Sequence, residues 1–389
     1  MEFKRIILKK GKEKSLERFH RWVFSGAIDV IPEPLSNGEW VEVYSAQGKY
    51  LATGYYQDAN IAVRIVSFKP TAIDESFWIN KIGSAIGIRE KLGFFTDPST
   101  NSFRLVNGEG DELPGLIIDW YAGTAVLQSH SEGIKLSAGI IAEILSRLMG
   151  GRLISVFHKS SYPHHTEEPG VYLKGESRDM EILENGLKFR INLEQGQKTG
   201  YFLDQRENRN LAQKVSGGAR VLDAFCYAGG FSANALKGGA AYVDAVDINQ
   251  IAIDLTTQNL EFNGFGGRYN CHNGDVLKFI QDTENIYDLV ILDPPAFAKH
   301  LSSRHNAVQG YKRLNATALK KIKKNGILFT FSCSQVVDKV LFENTIIAAA
   351  IEAGRMARIL YRLGQPADHP VNIFHPESEY LKGLVLQVE

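Results

Sequence analysis

Cysteine, long apolar runs and net charge are all scarce in this chain. Three cysteines in 389 residues are too few, and odd in number, for a disulfide framework, so a reducing cytoplasmic compartment is expected. No apolar run approaches the roughly 20 residues that a membrane span requires, and the N-terminus lacks the apolar stretch of a secretory signal. Basic and acidic side chains number 44 each, so a nucleic-acid partner would have to be bound by local patches.

One basic patch opens the chain. Residues 1–21 hold eight basic and three acidic side chains, a net charge of +5, and Trp22 and Phe24 follow directly. Cations that contact phosphates, beside aromatic rings that stack on bases, are typical of a small RNA-binding module. A solvated basic segment would have the same composition. The predicted RNA-binding residues are Lys9, Lys10, Lys12, Arg18, Arg21 and Trp22.

Length and turn signals divide the chain into three predicted domains. Short β-branched and aromatic runs between Glu39 and Phe68, separated by Asn-Gly and Gln-Gly turns, predict a small β-rich domain over residues 1–70. Helical spacing over 77–92 and 134–148, with strand-like runs between, predicts a central α+β domain over residues 71–186. Residues 187–389 alternate apolar strands with helices and form the third predicted domain, of α/β class.

The third domain is organised around residues 220–247. A buried strand is predicted to end at Asp223 and to run into a glycine turn at Gly229, and a helix and a second strand ending at Asp247 follow. This arrangement is typical of a nucleotide site, in which the second acid accepts hydrogen bonds from ribose hydroxyls. The spacing of a dinucleotide fingerprint is absent, and Asp223 suits a ligand with a cationic centre. These features predict S-adenosylmethionine as the ligand, with an ordinary βαβ turn as the alternative.

Two other segments are expected to contribute to this site. The Gly-Gln-Lys-Thr-Gly run over 196–200 is too polar and glycine-rich to be core, and we predict that it crosses the ligand pocket. Asp204 and Glu207 form a capping-box pattern that predicts the start of a helix. Asp275 closes a short strand, where it would meet the adenine amino group, although a plain turn aspartate is the alternative.

An acid and a thiol end two later strands. The apolar run over 287–292 leads into Asp293-Pro294-Pro295, and the run over 326–331 leads into Ser332-Cys333-Ser334. Ligands of open α/β sheets bind at the carboxyl ends of the strands, so we expect Asp293 and Cys333 to lie side by side. Cys226 and Cys271 are interpreted as small buried hydrophobes.

A thiolate at this position has a specific chemical use. Its addition to carbon 6 of a pyrimidine makes carbon 5 enamine-like and able to accept a methyl group. A base then removes the carbon-5 proton, and the thiolate is expelled. A protonated Asp293 would hydrogen-bond the ring and stabilise the charge that develops on it.

Together these motifs resemble the bacterial 23S rRNA large-subunit methyltransferase I family, which makes 5-methylcytosine from S-adenosylmethionine. The similar stretches are 11–28, 107–115, 196–206, 223–232, 293–297, 332–334 and 375–384. The resemblance implies a Rossmann-like class I methyltransferase domain with a seven-stranded, mostly parallel sheet, preceded by an α+β domain and a β-rich PUA-like domain. It implies Cys333 as the nucleophile and Asp293 as the ring-binding acid. The predicted cofactor-binding residues are Gln197, Thr199, Tyr201, Asp204, Arg206, Asp223, Phe225, Tyr227, Gly229, Asp247, Ile248, Asn263, Asp275, Val276 and Asp293.

The sequence leaves several points open. RNA cytosine methyltransferases commonly carry a second cysteine after the Asp-Pro proline, where this chain has Pro295 and Ala296, so a one-cysteine route with an unidentified base is implied. Methylation of guanine N7 or of an exocyclic amine is one alternative, and a non-catalytic RNA-binding or ribosome-assembly protein is another. The expected partners are 23S rRNA and a second copy in a homodimer, with no membrane. No metal is expected, because the adjacent His164 and His165 have no cysteine nearby.

Overall fold

The computed structural model describes residues 3–160, 169–176, 180–194, 196, 198–298 and 300–389. His164, His165 and Gln197 therefore lie outside the described residues. The chain forms two compact units. The first contains Met1–Met180, Asn192–Gly200 and Ala367–Ser378, and the second contains Glu181–Ile191, Tyr201–Pro366 and Glu379–Glu389. In the described part of the chain, no helix is long and apolar enough to span a bilayer.

The first unit begins with a six-stranded sheet in the order β2-β6-β5-β4-β1-β3. Its elements are β1 (Lys4–Leu8), α1 (Lys14–Glu17), β2 (Trp22–Phe24), β3 (Ile28–Val30), β4 (Trp40–Tyr44), β5 (Tyr50–Tyr56) and β6 (Ile61–Ser67). The basic start of the chain is a strand because Ile6 and Leu8 alternate with outward-facing residues and are buried. The sequence predicted β4 to β6 but missed β1 to β3.

A five-stranded sheet in the order β11-β10-β9-β8-β7 follows in the first unit. Its elements are α2 (Glu75–Lys91), β7 (Ser102–Asn107), β8 (Leu116–Tyr121), β9 (Thr124–Ser129), α3 (Glu132–Leu136), α4 (Ala138–Met149), β10 (Ser155–Ser160) and β11 (Val171–Lys174). The single helix predicted over 134–148 is two helices. Between them, the Ser137 hydroxyl donates to the Gly133 carbonyl at 2.8 Å, and such a local bond competes with a regular helix.

Residues 367–378 belong to the first unit although they lie near the end of the sequence. Arg89, fully buried, forms a bidentate ion pair with Asp111 (2.6 and 2.8 Å) and also donates to the Asp368 carbonyl at 2.6 Å. His375 packs against Trp22 with ring centroids 4.4 Å apart. This segment is therefore held by buried polar contacts that no local sequence pattern encodes.

The second unit contains a hairpin and a seven-stranded sheet in the order β16-β15-β14-β17-β18-β20-β19. All neighbouring pairs are parallel except those that involve β20, which is antiparallel to β18 and β19. The seven-stranded, mostly parallel sheet is thus confirmed. Its strands are β14 (Arg220–Ala224), β15 (Tyr242–Asp247), β16 (Tyr269–Asn273), β17 (Tyr287–Leu292), β18 (Ile322–Ser332), β19 (Ala357–Leu363) and β20 (Lys382–Val388), and the hairpin is β12 (Met180–Glu184) and β13 (Leu187–Ile191).

The helices of this unit are α5 (Arg206–Lys214), α6 (Gly230–Lys237), α7 (Gln250–Phe262), α8 (Val276–Asp282), α9 (Arg304–Leu319) and α10 (Lys339–Ala353). The predicted capping box is wrong, because the Asp204 carboxylate accepts a hydrogen bond from the Tyr380 hydroxyl (2.7 Å) and no side chain caps α5. Helix α9 ends at Leu319, and β18 begins three residues later at Ile322. Strand β19 was not predicted.

Candidate functional site

A tight loop follows the carboxyl end of β14. Three of its residues have positive φ: Phe225 at 68°, Tyr227 at 48° and Gly229 at 74°. Non-glycine residues rarely adopt this conformation, and such strain collects at functional sites. A Cβ at Gly229 would also lie 2.8 Å from Thr256 Cγ2. The glycine is therefore required by the backbone turn and by packing against α7.

Asp223 lies at the end of β14 with 1% of its surface exposed. Its Oδ2 accepts hydrogen bonds from the Ser232 amide (2.9 Å) and hydroxyl (2.6 Å). Its Oδ1 is buried and has no hydrogen-bond partner among the described residues. Burial raises the pKa of Asp223 to about 6, and the bonds from Ser232 oppose that rise. A buried carboxylate with one oxygen left over is suited to a cationic ligand group.

Asp247 ends the neighbouring strand β15. Its two oxygens accept from the backbone amides of Tyr227 (3.1 Å) and Asn249 (2.9 Å), so its orientation is fixed by the loop on each side. Ile248, the next residue, is 71% exposed. An oriented carboxylate beside an exposed apolar side chain is suited to a ribose and a flat base, and contact of Asp247 and Ile248 with the cofactor stays a prediction.

The structure brings Asp293 and Cys333 to the same sheet edge. Strands β17 and β18 are parallel neighbours, with Leu292 opposite Thr330. Asp293 follows β17, and its carboxylate accepts from the Gln205 side-chain amide at 3.0 Å. Cys333 follows β18, with its sulfur 4.0 Å from the Pro294 carbonyl oxygen. Both side chains are half-buried, so they border the solvent rather than the core.

Other predicted cofactor residues have well-defined partners within their own unit. Tyr201 is buried beside Arg209, whose guanidinium lies 4.6 Å from its ring centroid, and burial raises its pKa well above the ordinary value. Tyr227 packs edge-on against Phe202 with ring centroids 5.0 Å apart. Arg206 is buried beside Glu207. These side chains shape the loops around the strand ends, and direct contact with the cofactor stays a prediction for them.

Asn263, Asp275 and Val276 lie at helix ends. At the end of α7, the Asn263 side chain accepts from the amide (3.0 Å) and donates to the carbonyl (2.7 Å) of Lys188. Its contact with the cofactor stays a prediction. Asp275 caps α8 by accepting from the Lys278 amide at 2.7 Å, and Val276 is buried in the core. Contact of either residue with the cofactor stays a prediction.

Thr199 belongs to the first unit. Its hydroxyl donates to Asp119 at 2.6 Å and lies 2.9 Å from the Tyr121 hydroxyl, and its side chain is buried. The predicted crossing of the pocket by this stretch stays a prediction, and Gln197 is outside the described residues.

The predicted RNA-binding residues divide into two groups. Lys9, Lys10, Lys12 and Arg18 are exposed, as a phosphate-binding surface requires. Arg21 is 4% exposed and forms an ion pair with Glu112 at 2.9 Å, so it offers little surface to a phosphate, and its contact with RNA stays a prediction. Trp22 is half-buried, and its indole nitrogen donates to Glu109 at 2.8 Å.

Sequence reasoning missed several residues of the site. Ser232 anchors Asp223, Gln205 anchors Asp293, and Lys382 donates to the Ser334 carbonyl at 2.8 Å, next to Cys333. Gln205 and Lys382 lie in stretches that were noted for their motifs, yet their partners lie far away in the sequence. Spacing within one segment gives no signal for such pairs.

Comparisons with known proteins agree with this geometry. A family model described as an S-adenosylmethionine-dependent methyltransferase matches residues 149–374, and a PUA-like domain model matches residues 6–68. Ribosomal RNA large subunit methyltransferase I of Shewanella amazonensis is 37% identical over 99% of both chains. Two solved structures are similar in fold, each with a TM-score of 0.86 at 23% sequence identity. One is described as an S-adenosylmethionine-dependent methyltransferase from Streptococcus mutans, and the other as a methyltransferase complexed with S-adenosylhomocysteine. Each match covers 99% of this chain and 100% of the other chain. The chain therefore belongs to the ribosomal RNA large subunit methyltransferase I family of S-adenosylmethionine-dependent enzymes.

Proposed function

We propose that this protein forms 5-methylcytosine in 23S rRNA through a covalent adduct between Cys333 and the target cytosine. The named relatives support an rRNA substrate. The observation that carries the proposed chemistry is the contact between the Cys333 sulfur and the loop that begins at Asp293. Methylation of a ring carbon requires a nucleophile to activate the ring, whereas methylation of a nitrogen does not.

The three cysteines have different environments. Cys226 is buried, and burial raises the pKa of its thiol well above the ordinary value. Burial also raises the pKa of Cys271, which lies within β16. A raised pKa lowers the thiolate fraction and with it the reactivity of both sulfurs. Cys333 lies beyond the end of its strand and borders the solvent, so it is the cysteine placed to meet a base.

The side chains at the ends of β14 and β15 fit S-adenosylmethionine, which supplies an electrophilic methyl group when it is bound. The unpartnered Oδ1 of Asp223 would bind the ammonium group of the methionine part. Asp247 would accept from the ribose hydroxyls, and Ile248 would cover one face of the adenine. Asp275, at the end of β16, remains the proposed contact for the adenine amino group.

Asp293 and Cys333 act on the cytosine. Gln205 orients the Asp293 carboxyl, which hydrogen-bonds the ring and stabilises the charge that develops on it. The sulfur of Cys333 forms a bond to carbon 6, and the electron pair of the 5,6 double bond becomes available at carbon 5. After carbon 5 has received its methyl group, a base takes its proton, the double bond forms again and the electron pair of the carbon–sulfur bond returns to sulfur.

The test compares wild type with Cys333→Ala and a Cys271→Ala control. Each is incubated with protein-free 23S rRNA and S-adenosylmethionine labelled in the methyl group, and the product nucleoside is identified by mass. We expect 5-methylcytosine from wild type and from the control, and a loss of at least about a thousandfold in Cys333→Ala. Methylated guanine or N-methylated product, or full activity in Cys333→Ala, would refute carbon-5 chemistry. Absence of any methylated product from wild type, on naked rRNA and on large-subunit assembly intermediates alike, would favour the non-catalytic alternative.

The proposed partners follow from two exposed surfaces. The exposed cations Lys9, Lys10, Lys12 and Arg18 are proposed to contact rRNA phosphates, and the cytoplasm is the proposed location because the ribosome is there. A homodimer is proposed through β19, an edge strand whose residues Ala357–Arg362 are all exposed, together with the outer face of α10. Two copies of an edge strand can pair antiparallel around a two-fold axis and cover each other.

A further inference from the structure

Lys382 occupies an unusual place for a lysine. It begins β20 opposite Ser332, the last residue of β18, and is 5% exposed. Its Nζ donates to the carbonyl of Ser334 at 2.8 Å. Within the described part of the chain, no carboxylate lies within ion-pair distance of this nitrogen. A buried lysine without a carboxylate partner is rare and costs free energy, so its presence beside Cys333 calls for a functional explanation.

The groups that face Lys382 come from three elements. Burial lowers the pKa of Lys382 to about 8, and the charge of a Cys333 thiolate is the largest of the effects that oppose this, followed by Asp338 and Glu379. Lys339 acts in the opposite direction, and its own ammonium is paired with Glu379 at 2.6 Å. An ordinary thiol has a pKa of about 8.5, and a positive charge near the sulfur lowers that pKa because it favours the thiolate.

We propose that Lys382 is a positioning residue whose ammonium charge favours the thiolate form of Cys333. This inference rests on the proposed function of Cys333. The thiol proton leaves Sγ for solvent, and the ammonium charge favours the thiolate until a sulfur lone pair forms the bond to carbon 6. When the carbon–sulfur bond breaks, its electron pair returns to sulfur and the thiolate forms again. The carbon-5 proton goes to a different base.

A structural role is the competing explanation, because Lys382 also ties the Ser334 carbonyl to the sheet. The experiment therefore measures the thiolate itself. The full-length protein is alkylated with iodoacetamide from pH 6 to pH 10, and the modified Cys333 and Cys271 peptides are quantified by mass spectrometry. Wild type is compared with Lys382→Met, which removes the charge, and Lys382→Arg, which keeps it. Cys271 in the same sample is the internal control.

We expect the midpoint of Cys333 alkylation in wild type to lie below the ordinary thiol value of about 8.5. In Lys382→Met we expect it to rise by about one pH unit, with a roughly tenfold slower reaction at pH 7, while Lys382→Arg stays near wild type and Cys271 is unchanged. Identical Cys333 profiles in wild type and Lys382→Met would overturn the inference. If Lys382→Met does not fold, a wild-type midpoint at or above the ordinary value would overturn it instead.

The outcome is independent of methyl transfer, since the measurement uses neither RNA nor S-adenosylmethionine. Full activity in Cys333→Ala would refute the proposed function whatever the alkylation profile. A lost activity in Cys333→Ala together with an unaltered alkylation profile in Lys382→Met would leave the proposed function in place and remove Lys382 from it.

Discussion

The burial of Asp223 lowers the stability of the folded protein, and we expect it to favour the binding of a cationic ligand. A carboxylate that is buried with an unpartnered oxygen destabilises the folded protein. The pKa of Asp223 is raised to about 6, so the folded state binds a proton more tightly than the unfolded state does. The sign follows: stability is highest below the unfolded pKa of about 3.9 and decreases as the pH rises through 6. A cationic ligand reverses this loss when it binds the ionised form.

The first prediction concerns Asp223→Asn. Asparagine retains the shape and an acceptor for Ser232 but loses the charge, so we expect affinity for S-adenosylhomocysteine to fall by at least about tenfold, the worth of a charged hydrogen bond. At pH 7.5 we expect the thermal midpoint of the ligand-free variant to equal or exceed that of wild type. Isothermal titration calorimetry and differential scanning fluorimetry measure the two effects. In wild type, affinity should weaken as the pH falls below about 6, because protonation removes the charge.

The matched control is Asp288→Asn. Asp288 lies near the start of β17, at the opposite end of the sheet, and is paired with Lys323 at 2.8 Å. Its loss should leave affinity unchanged. Equal affinity of wild type and Asp223→Asn for the ligand would refute the proposed ammonium contact, and a strongly lowered thermal midpoint of the variant would show that Asp223 is structural.

At the level of elements, the sequence predicted the central strands well and the peripheral ones poorly. Strands β14, β15 and β17 are largely buried and mostly apolar, because both faces of a central parallel strand are covered. Strand β19 was missed because its exposed edge position imposes no such pattern. The capping motif at Asp204 failed because a distant tyrosine uses the carboxylate. Local rules thus hold where neighbours in sequence decide the environment, and fail where tertiary contacts do.

The segment 367–378 is the extreme case of tertiary control. Its contacts with the first unit include Asp368 Oδ2 accepting from the Arg104 amide at 2.8 Å and the Pro370 carbonyl accepting from Asn107 at 3.0 Å. The buried Arg89 connects the same segment to Asp111. No periodicity could have placed these partners together, because they lie more than 260 residues apart in sequence.

The variant Arg89→Met tests the buried contacts of Arg89 with Asp111 and Asp368. Arg89→Met leaves Asp111 buried without its partner, so we expect the free energy of unfolding to fall by about 3 kcal/mol. All four tryptophans, Trp22, Trp40, Trp78 and Trp120, belong to the first unit, so tryptophan fluorescence during urea unfolding reports on that unit alone. The control is Arg147→Met, which breaks an exposed ion pair with Glu75 and should stay close to wild type. Equal losses in both variants would contradict the importance of the buried pair.

For the whole molecule, the chain passes between its two units more than once. Residues 192–200 and 367–378 return to the first unit, while 181–191 and 379–389 belong to the second. The returning segment 367–378 ends four positions before Lys382, which donates to the carbonyl of Ser334, the residue after Cys333. A change that releases this segment from the first unit is therefore expected to affect both units, so neither is expected to behave as a freely separable module.

The last prediction concerns self-association. The surface formed by α10 and β19 exposes Ile347 (56%), Ile351 (75%), Met356 (74%) and Tyr361 (50%), an apolar patch beside an unpaired strand edge. Such a combination is prone to association, and a two-fold dimer covers the apolar patch and pairs the strand edge, so no further edge is left open.

We expect light scattering after size exclusion to give twice the 43.3 kDa chain mass for wild type. Ile351→Glu should give the single-chain mass, because each copy would bury a carboxylate in the proposed interface, whereas Leu136→Glu, on an exposed position of the first unit, should remain dimeric. A monomeric wild type, or a dimeric Ile351→Glu, would exclude this surface as the dimer interface.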